Sequence, residues 1–463
     1  MLFLKDIILL YKKTIFALST FYGKSALAIV RITGLQVLTI LYKFNIRNNI
    51  TPNKISLVKI YTKNTIFIDE CLVIFFQNGK SYTGVELIEL QVHGSIAVIN
   101  KIFNQLFQIN NFRMALPGEF TKLALTNNKI SFDKAEAISD LINAETNAQH
   151  YSASQIYNGD LKKIQIIIKN MFIEIIGQLE AFIDFPGDMF KYIKTINQKV
   201  ILLKKLINKI IDSFNISSLL KNGINISIIG DSNSGKSTLM NLLTKTNRSI
   251  TSNISGTTRD IVIDKIEILG IPIILHDTAG IRYSNDIIES IGIEKTLHTI
   301  KNSSIIIFVH NINIKINLKI LNYIKKYNTV GKFIFISNKI DLIDSKKKYF
   351  SQCIKINNCK IKSKYKIFIS LNRDSSHNSI INILVSIIKY FLPMQKNIII
   401  TSLRQQKILK NCLEYINKAS SINEFELKVE EFKNAANKIN ELIGIISSKE
   451  ILNQVFTNFC IGK

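Results

Sequence analysis

The strongest chemistry in this sequence lies in Gly230–Ser237, read as G-D-S-N-S-G-K-S. Its two glycines let the backbone curl so that successive N–H groups converge on phosphate oxygens. Lys236 can then reach the β- and γ-phosphates, and Ser237 offers a hydroxyl to Mg²⁺. The G-x-x-x-x-G-K-[ST] pattern carries this meaning only between a strand and a helix. Here apolar, β-branched Ile224–Ile229 precedes it and helix-compatible Thr238–Leu243 follows. The expected nucleotide contacts are Asn233, Ser234, Gly235, Lys236, Ser237 and Thr238. Alone, such a loop is also a chance glycine turn, and two motifs downstream argue against that.

Asp277-Thr278-Ala279-Gly280 follows the apolar run Ile273–Leu275. An aspartate at such a strand end holds Mg²⁺ through water, and the glycine N–H senses a γ-phosphate. Asn338-Lys339-Ile340-Asp341 follows a second apolar strand. The Asp341 carboxylate can accept from guanine N1–H and its exocyclic amine, whereas adenine leaves it unpaired. Three motifs in this order imply a guanine-nucleotide-binding domain.

Between the first two motifs lies Ser252-Asn253-Ile254-Ser255-Gly256-Thr257-Thr258, continuing into Arg259-Asp260. Threonine hydroxyls in such a loop can complete a Mg²⁺ shell when a γ-phosphate is present; a solvated Ser/Thr turn is the plainer reading. The residue after Gly280 is Ile281, where Ras-like enzymes carry a glutamine that orients the attacking water. Glu289, with Asp286, is the nearest carboxylate and Arg282 the nearest cation; either is a catalytic group or a solvated surface charge. Cys460, beside Phe459 near the end of an amphipathic helix, is a buried inert thiol or a reactive group carried by the Gly462-Lys463 end.

The elements that position these residues fall into four segments. Residues 1–128 read as an α+β domain, with β-rich Leu27–Ile32, Leu72–Phe76 and Leu87–Val92 and a helix over Ile96–Phe107. Residues 129–222 turn helical: Ser131 stands where it can N-cap a helix with apolar Ala135, Ile138, Leu141 and Ile142, and a long helix, Ile164–Phe185, stops at Pro186-Gly187. A third helix repeats Val200, Leu203, Leu206, Ile207, Ile210, Ile211 and Phe214. Residues 223–386 alternate strands and helices, with a hairpin about Gly270 and parallel strands at Ile305–Val309, Phe333–Ile336 and Ile367–Ile369, which is a doubly wound α/β pattern. Residues 387–463 are helical again and end in a helix opened by a Ser447-x-x-Glu450 capping box. The α/β domain thus reads as an insertion between two parts of one helical domain.

The chain has 463 residues, 47% hydrophobic and 20% charged, and a formal net charge of +26. That length calls for two to three domains. The charge points to a polyanion, nucleic acid first, although a lysine surplus also follows from the Ile-, Lys- and Asn-rich composition. The five cysteines form no C-x-x-C pair, so a zinc site or disulfide framework is not expected and a cytoplasmic setting is. Lys5, Asp6, Lys12 and Lys13 interrupt the apolar start, and no membrane span is expected.

Taken together, the motifs resemble those of the bacterial tRNA-modification GTPase family MnmE, also called TrmE, over nearly the whole chain. Ala28–Gly34 (A-I-V-R-I-T-G), Leu87–Gly94 (L-I-E-L-Q-V-H-G), Pro117–Phe120, Asp133–Ile138, Asp184-Phe185-Pro186, the GTPase set and the ending Phe459-Cys460-Ile461-Gly462-Lys463 carry the likeness. The resemblance implies a Ras-like P-loop G domain inserted in a helical domain and preceded by a folate-binding α+β domain that dimerises. It implies a flavoprotein partner of the MnmG type in a heterotetramer, tRNA as substrate, and modification at C5 of the wobble uridine with a tetrahydrofolate derivative of the 5-formyl or methylene type. It also implies GTP hydrolysis that needs Mg²⁺ and K⁺. The K⁺ positions match Asn233, Ser252, Ile254 and Thr257; those of Mg²⁺ match Ser237 and Thr258; the water-orienting glutamate matches Glu289. Folate contacts match Arg31, Glu89, Lys129 and Lys463, and the reactive cysteine matches Cys460. Departures are a glycine-poor Thr20–Ala26 turn, Leu116 and Leu123 where arginines are usual, Ser370-Leu371-Asn372 at the fifth G motif, and the extra residues Met1–Lys13. Two other functions fit parts of the pattern: a ribosome-assembly GTPase, which would need an RNA-binding module after the G domain, and a GTP-gated scaffold whose modification chemistry has decayed.

Overall fold

The computed structural model describes residues 13–46, 50–184, 189–230, 233–246, 262–277, 299–314, 332–342, 365–372, 375–391, 400–442 and 462. Two compact units emerge: Met1–Ser139 with Lys162–Asn170 and Lys433–Lys463, and Asp140–Leu161 with Met171–Phe432.

The first unit is built on alternation of apolar and polar residues. Strands β1 (Thr14–Leu18), β2 (Ser25–Thr33), β3 (Ile55–Tyr61), β4 (Phe67–Phe76), β5 (Leu87–Gly94) and β6 (Phe112–Met114) form a six-stranded sheet in the order β3-β4-β5-β2-β1-β6. Pairing is antiparallel except for β1 with β6. Val30, Ile32, Ile88, Leu90 and Val92 are fully buried on one face, and helix α2 (Ile96–Phe107) covers them with Ile99, Ile102 and Leu106. A short helix, α1 (Thr39–Lys43), lies between β2 and β3. The opposite face carries Arg31 and Glu89, which are cross-strand partners in the β2–β5 register.

Helix α3 (Glu119–Thr126) begins after Gly118, whose φ of 69° is the left-handed conformation glycine adopts without strain. Glu119 is buried, takes a forked ion pair from Arg113 and accepts from the Leu116 N–H. Helix α4 (Phe132–Ile142) follows Ser131, as expected, but buries a different face. Phe132, Asp133, Ala135, Glu136 and Ala137 are inside, and Ile142 is exposed. The two carboxylates hide the period: a scan for apolar side chains passes over positions that are buried and polar.

In the second unit, α5 (Asn147–Tyr157) opens with a complete capping box between Thr146 and Gln149. Helix α6 (Asp160–Asp184), whose Lys162–Asn170 segment belongs to the first unit, and helix α7 (Met189–Asn222) follow. After α7 comes a second six-stranded sheet: β7 (Ile224–Gly230), β8 (Val262–Ile268), β9 (Ile271–Asp277), β10 (Ile305–Asn311), β11 (Lys332–Asn338) and β12 (Tyr365–Phe368), ordered β12-β11-β10-β7-β9-β8. All pairs are parallel except the β8–β9 hairpin. The largely apolar strands β7 and β10 sit at the centre, where both faces are covered. Helices α8 (Lys236–Thr246) and α9 (Ser375–Phe391) belong to this α/β layer.

Helices α10 (Leu403–Ser421) and α11 (Phe425–Asn440) return to the helices that precede the sheet. Phe182 meets Phe425 at 4.1 Å between ring centroids, and Phe172 meets Phe432 at 6.5 Å. Lys204 Nζ donates to Ser420 Oγ at 2.9 Å. The helical layer is therefore assembled from segments on both sides of the α/β sheet. The Ser447 capping box and its helix lie outside the described residues. Among the described residues, no helix is long and apolar enough to cross a membrane, and no group of three His, Cys, Asp or Glu could hold a metal ion.

Candidate functional site

β7 lies between β9 and β10, so the chain leaves it to opposite sides and opens a crevice at the carboxyl edge of the sheet. Everything the sequence marked for nucleotide chemistry, where described, falls on that edge. The loop after β7 turns through Asn233, at φ 57°, and Gly235, at φ 105°, into α8. A Cβ on Gly235 would stand 2.3 Å from Asn338 Nδ2, so only glycine allows this approach. Lys236 is buried and its Nζ donates to the Gly230 carbonyl at 3.1 Å, which folds the side chain back across the loop. Ser237 and Thr238 are exposed in the first turn of α8, where free N–H groups and the helix dipole favour an anion. Asn233 is exposed as well.

Two buried oxygens, Ser234 Oγ and Asp277 Oδ1, have no hydrogen-bond partner among the described residues. Burial raises the Asp277 carboxyl above its usual range, and the Lys236 ammonium partly offsets that. Such a carboxylate at the end of β9 suits an external hydrogen-bond donor such as metal-bound water. The donor set, the anion-binding helix end and the glycine-limited loop fit a Mg²⁺–nucleotide.

Asn338, at the end of β11, does more than the spacing of its motif implied. It is buried; its Nδ2 donates to the Ser234 carbonyl at 2.8 Å and its Oδ1 accepts from Leu371 N–H at 3.0 Å. One side chain thereby ties the phosphate loop to the turn after β12, where Ser370 is buried. Lys339 takes a left-handed φ of 65°, and Asp341 is exposed in the single 3₁₀ turn Ile340–Leu342. The bridging role of Asn338 carries no sequence signal of its own.

In the first unit the structure brings Arg31 and Glu89 together and sets the Gly462 carbonyl beside them. Arg31 Nε and Nη2 each lie 2.8 Å from Glu89 Oε1, and Nη1 donates to the Gly462 carbonyl at 3.3 Å. The guanidinium carbon lies 6.0 Å from the Tyr82 ring centre and 5.9 Å from that of Phe120. Lys129 Nζ donates to the Gly79 carbonyl at 2.6 Å. Ser252–Thr258, Thr278–Gly280, Arg282, Glu289, Cys460 and Lys463 lie outside the described residues.

Two family models match the chain: "GTP-binding protein TrmE N-terminus" over residues 14–129 and "MnmE helical domain" over residues 132–460. Two curated relatives named "tRNA modification GTPase MnmE", from Rickettsia typhi and Rickettsia prowazekii, are each 36% identical over 460 residues, covering 97% of this chain and all of theirs. Among solved structures, Aquifex aeolicus Era bound to GDP·AlF4⁻ covers 41% of this chain and 67% of its own at 24% identity, with a TM-score of 0.30 that bears no functional weight.

Proposed function

The chain belongs to the MnmE family of tRNA modification GTPases, and from that premise we propose that its GTP hydrolysis depends on K⁺ and serves C5 modification of the wobble uridine. The observation that carries the K⁺ reading is Asn233, held at a left-handed φ with its side chain exposed beside the phosphate loop. An amide oxygen there would be able to hold a monovalent cation. Such a cation supplies the positive charge that an arginine finger otherwise brings to the transition state.

The residues divide the work as follows. Gly235 and the first turn of α8 would direct N–H groups at the phosphates and Lys236 would neutralise them; Ser237 and Thr258 would hold Mg²⁺, and Asp277 would accept from a water bound to it. Asp341 selects guanine. Ser252, Ile254 and Thr257 complete the cation site with Asn233, and Glu289 orients the attacking water in place of the missing glutamine, with Arg282 as the nearest cation. In the first unit, Glu89 pairs with Arg31 through Oε1 and leaves Oε2 uncommitted among the described residues, which suits the N–H face of a pterin. Lys129 and Lys463 are assigned to the same tetrahydrofolate derivative and Cys460 to the reactive thiol. A flavoprotein partner of the MnmG type, assembly as a homodimer within a heterotetramer, and a cytoplasmic setting complete the reading.

The test is steady-state GTP hydrolysis in matched K⁺ and Na⁺ buffers with tRNA and the flavoprotein present. The wild type is expected to lose most of its rate in Na⁺, and Asn233→Ala to be slow in both. Equal rates in the two salts would remove the cation role. Wobble-uridine mass spectrometry in a host lacking its own copy then separates a modifying enzyme from a decayed scaffold, which would restore nothing.

A further inference from the structure

β1 opens at Thr14, whose N–H donates to the Asn111 carbonyl at 2.9 Å and whose Oγ1 accepts from Gln36 N–H at 3.1 Å. Gly34, at φ 139°, lies so close that a Cβ on it would stand 2.7 Å from Thr14 Cα and 3.2 Å from the Lys13 carbonyl oxygen. β1 runs antiparallel to β2 with Ile15 opposite Thr33. Continued by two places, that register sets Lys13 opposite Leu35. The chain before Lys13 therefore enters beside the turns that lead from β2 into α1.

Those turns carry an apolar stripe. N–H groups of Val37, Thr39, Ile40 and Leu41 each donate to the carbonyl three residues back, which winds the segment helically into α1. Val37, Ile40 and Phe44 point inward and are fully buried. On the other side Leu35, Leu38 and Tyr42 are 73%, 40% and 84% exposed. Their spacing of three and four aligns them along one face. Such a row is more than the single exposed side chains of an ordinary surface.

Residues 1–12 lie outside the described residues and before the first residue that either family model matches; they read M-L-F-L-K-D-I-I-L-L-Y-K. Ile7–Leu10 is an uninterrupted aliphatic run that stands three to six residues before Lys13. Those separations reach at most about 11 to 22 Å. Seven helical residues, the step from Leu35 to Tyr42, rise about 10–14 Å. The run is long enough to lie along the whole stripe, and the chain delivers it there.

We propose that Leu35, Leu38 and Tyr42 form a docking site for this chain's own residues 1–12, with Ile7–Leu10 as the apolar contact. A segment tethered beside its site meets it at high effective concentration, which favours it over a second copy or another protein. The docking goes beyond the proposed function and stands even if that function fails.

The experiment is limited trypsin digestion of the full-length protein, with cleavage after Lys5 and Lys12 timed by intact-mass spectrometry. Leu38→Gln and Tyr42→Gln are each expected to speed both cleavages by about tenfold, the order given by losing one partly buried apolar side chain. Ile8→Asp should do the same from the other side of the contact. Combined with Tyr42→Gln it should add little, because both release the same segment. Cleavage beyond Lys13 in the same digests should keep its wild-type rate, which separates release of the segment from unfolding of the sheet.

A short bis-maleimide then distinguishes the chain's own segment from a second copy. It is applied to the double variant Ile8→Cys/Leu38→Cys and, separately, to the two single variants co-expressed, with peptide-level mass spectrometry. The link between the two positions is expected in the double variant alone. Wild-type cleavage as fast as that of Tyr42→Gln, or effects of Ile8→Asp and Tyr42→Gln that multiply, would overturn the docking. A link between co-expressed single variants would assign the stripe to a second copy and overturn it as well.

Discussion

Asn338→Ala tests whether one buried amide holds the nucleotide site together. The substitution deletes the donor to the Ser234 carbonyl, at 2.8 Å, and the acceptor for Leu371 N–H, at 3.0 Å, in a residue only 3% exposed. Each backbone group left unsatisfied costs about 1–3 kcal/mol where water cannot replace the partner. Because the phosphate loop opens to solvent, the lower part of the sum applies, about 2–4 kcal/mol. At 1.4 kcal/mol per decade that is a GDP affinity weaker by about 30- to 700-fold, measured by titration with a fluorescent GDP analogue. A direct contact between Asn338 and the base would also lower affinity, so a second readout is needed without nucleotide. Hydrogen exchange at the amides of residues 233–237 should speed up in the nucleotide-free variant, which a base contact alone would not cause. Asn338→Asp keeps the acceptor for Leu371 but sets a carboxylate against the Ser234 carbonyl, and should bind no better than alanine. A Kd within threefold of wild type, with unchanged exchange, would refute the bridge.

Thr146→Ala removes both the capping box of α5 and the bond from Thr146 Oγ1 to the Gly270 carbonyl at 2.7 Å. It should lower stability to urea by about 1–2 kcal/mol, with Thr146→Ser, which keeps the hydroxyl, losing little; an unchanged midpoint for alanine would show that the contact contributes nothing. Burial, aided at Cys71 by the nearby Asp69 charge, pushes the Cys71 thiol up to about 12, and burial alone does the same for Cys412. At pH 8 the thiolate fraction is on the order of 10⁻⁴, so native protein should leave both unlabelled while urea-unfolded protein labels both. Because the folded pKa lies above the unfolded one, the associated stability is whole below about pH 9 and is lost as pH rises toward about 12. Labelling of native Cys71 at pH 8 would contradict that burial.

The parts of the fold that could be read from sequence are those in which neighbours in the chain carry the signal. The run Ile224–Ile229 followed by Gly230–Ser237 announces strand, loop and helix within a few residues, and the β8–β9 hairpin stands where Gly270 marks it. Its first turn residue is Leu269, at φ 55°, a conformation that asparagine or glycine would signal and leucine does not. What escaped was polar and long-range. Asp133 and Glu136 are buried on α4 at positions an apolar pattern skips. Asn338 matches its motif by type, but its grip on Ser234 and Leu371 depends on two distant turns meeting. Glycine at Gly462 reads as an ordinary flexible end until Leu18 is seen to leave no room for a Cβ.

The β8–β9 ribbon joins the nucleotide edge of the sheet to the helical layer. At its turn, Thr146 bonds to Gly270, and a Cβ on Gly270 would already touch Ala148, at 2.7 Å; midway along β8, Lys265 pairs with Glu145 at 2.7 Å. Gln149, in the same helical turn, donates to the Leu220 carbonyl at 2.9 Å, in the last turn of the helix that leads into β7. The ribbon is therefore tied to the helical layer at its turn and midway along β8, while β9 is bonded to β7 from Ile273 to Asp277; at about 3.3 Å per residue, the turn stands about 23 Å along the strand from Asp277. The hairpin is a stay between the nucleotide edge and the helical layer, sewn to β7 along one strand and anchored at its far end by Thr146, Glu145 and Ala148.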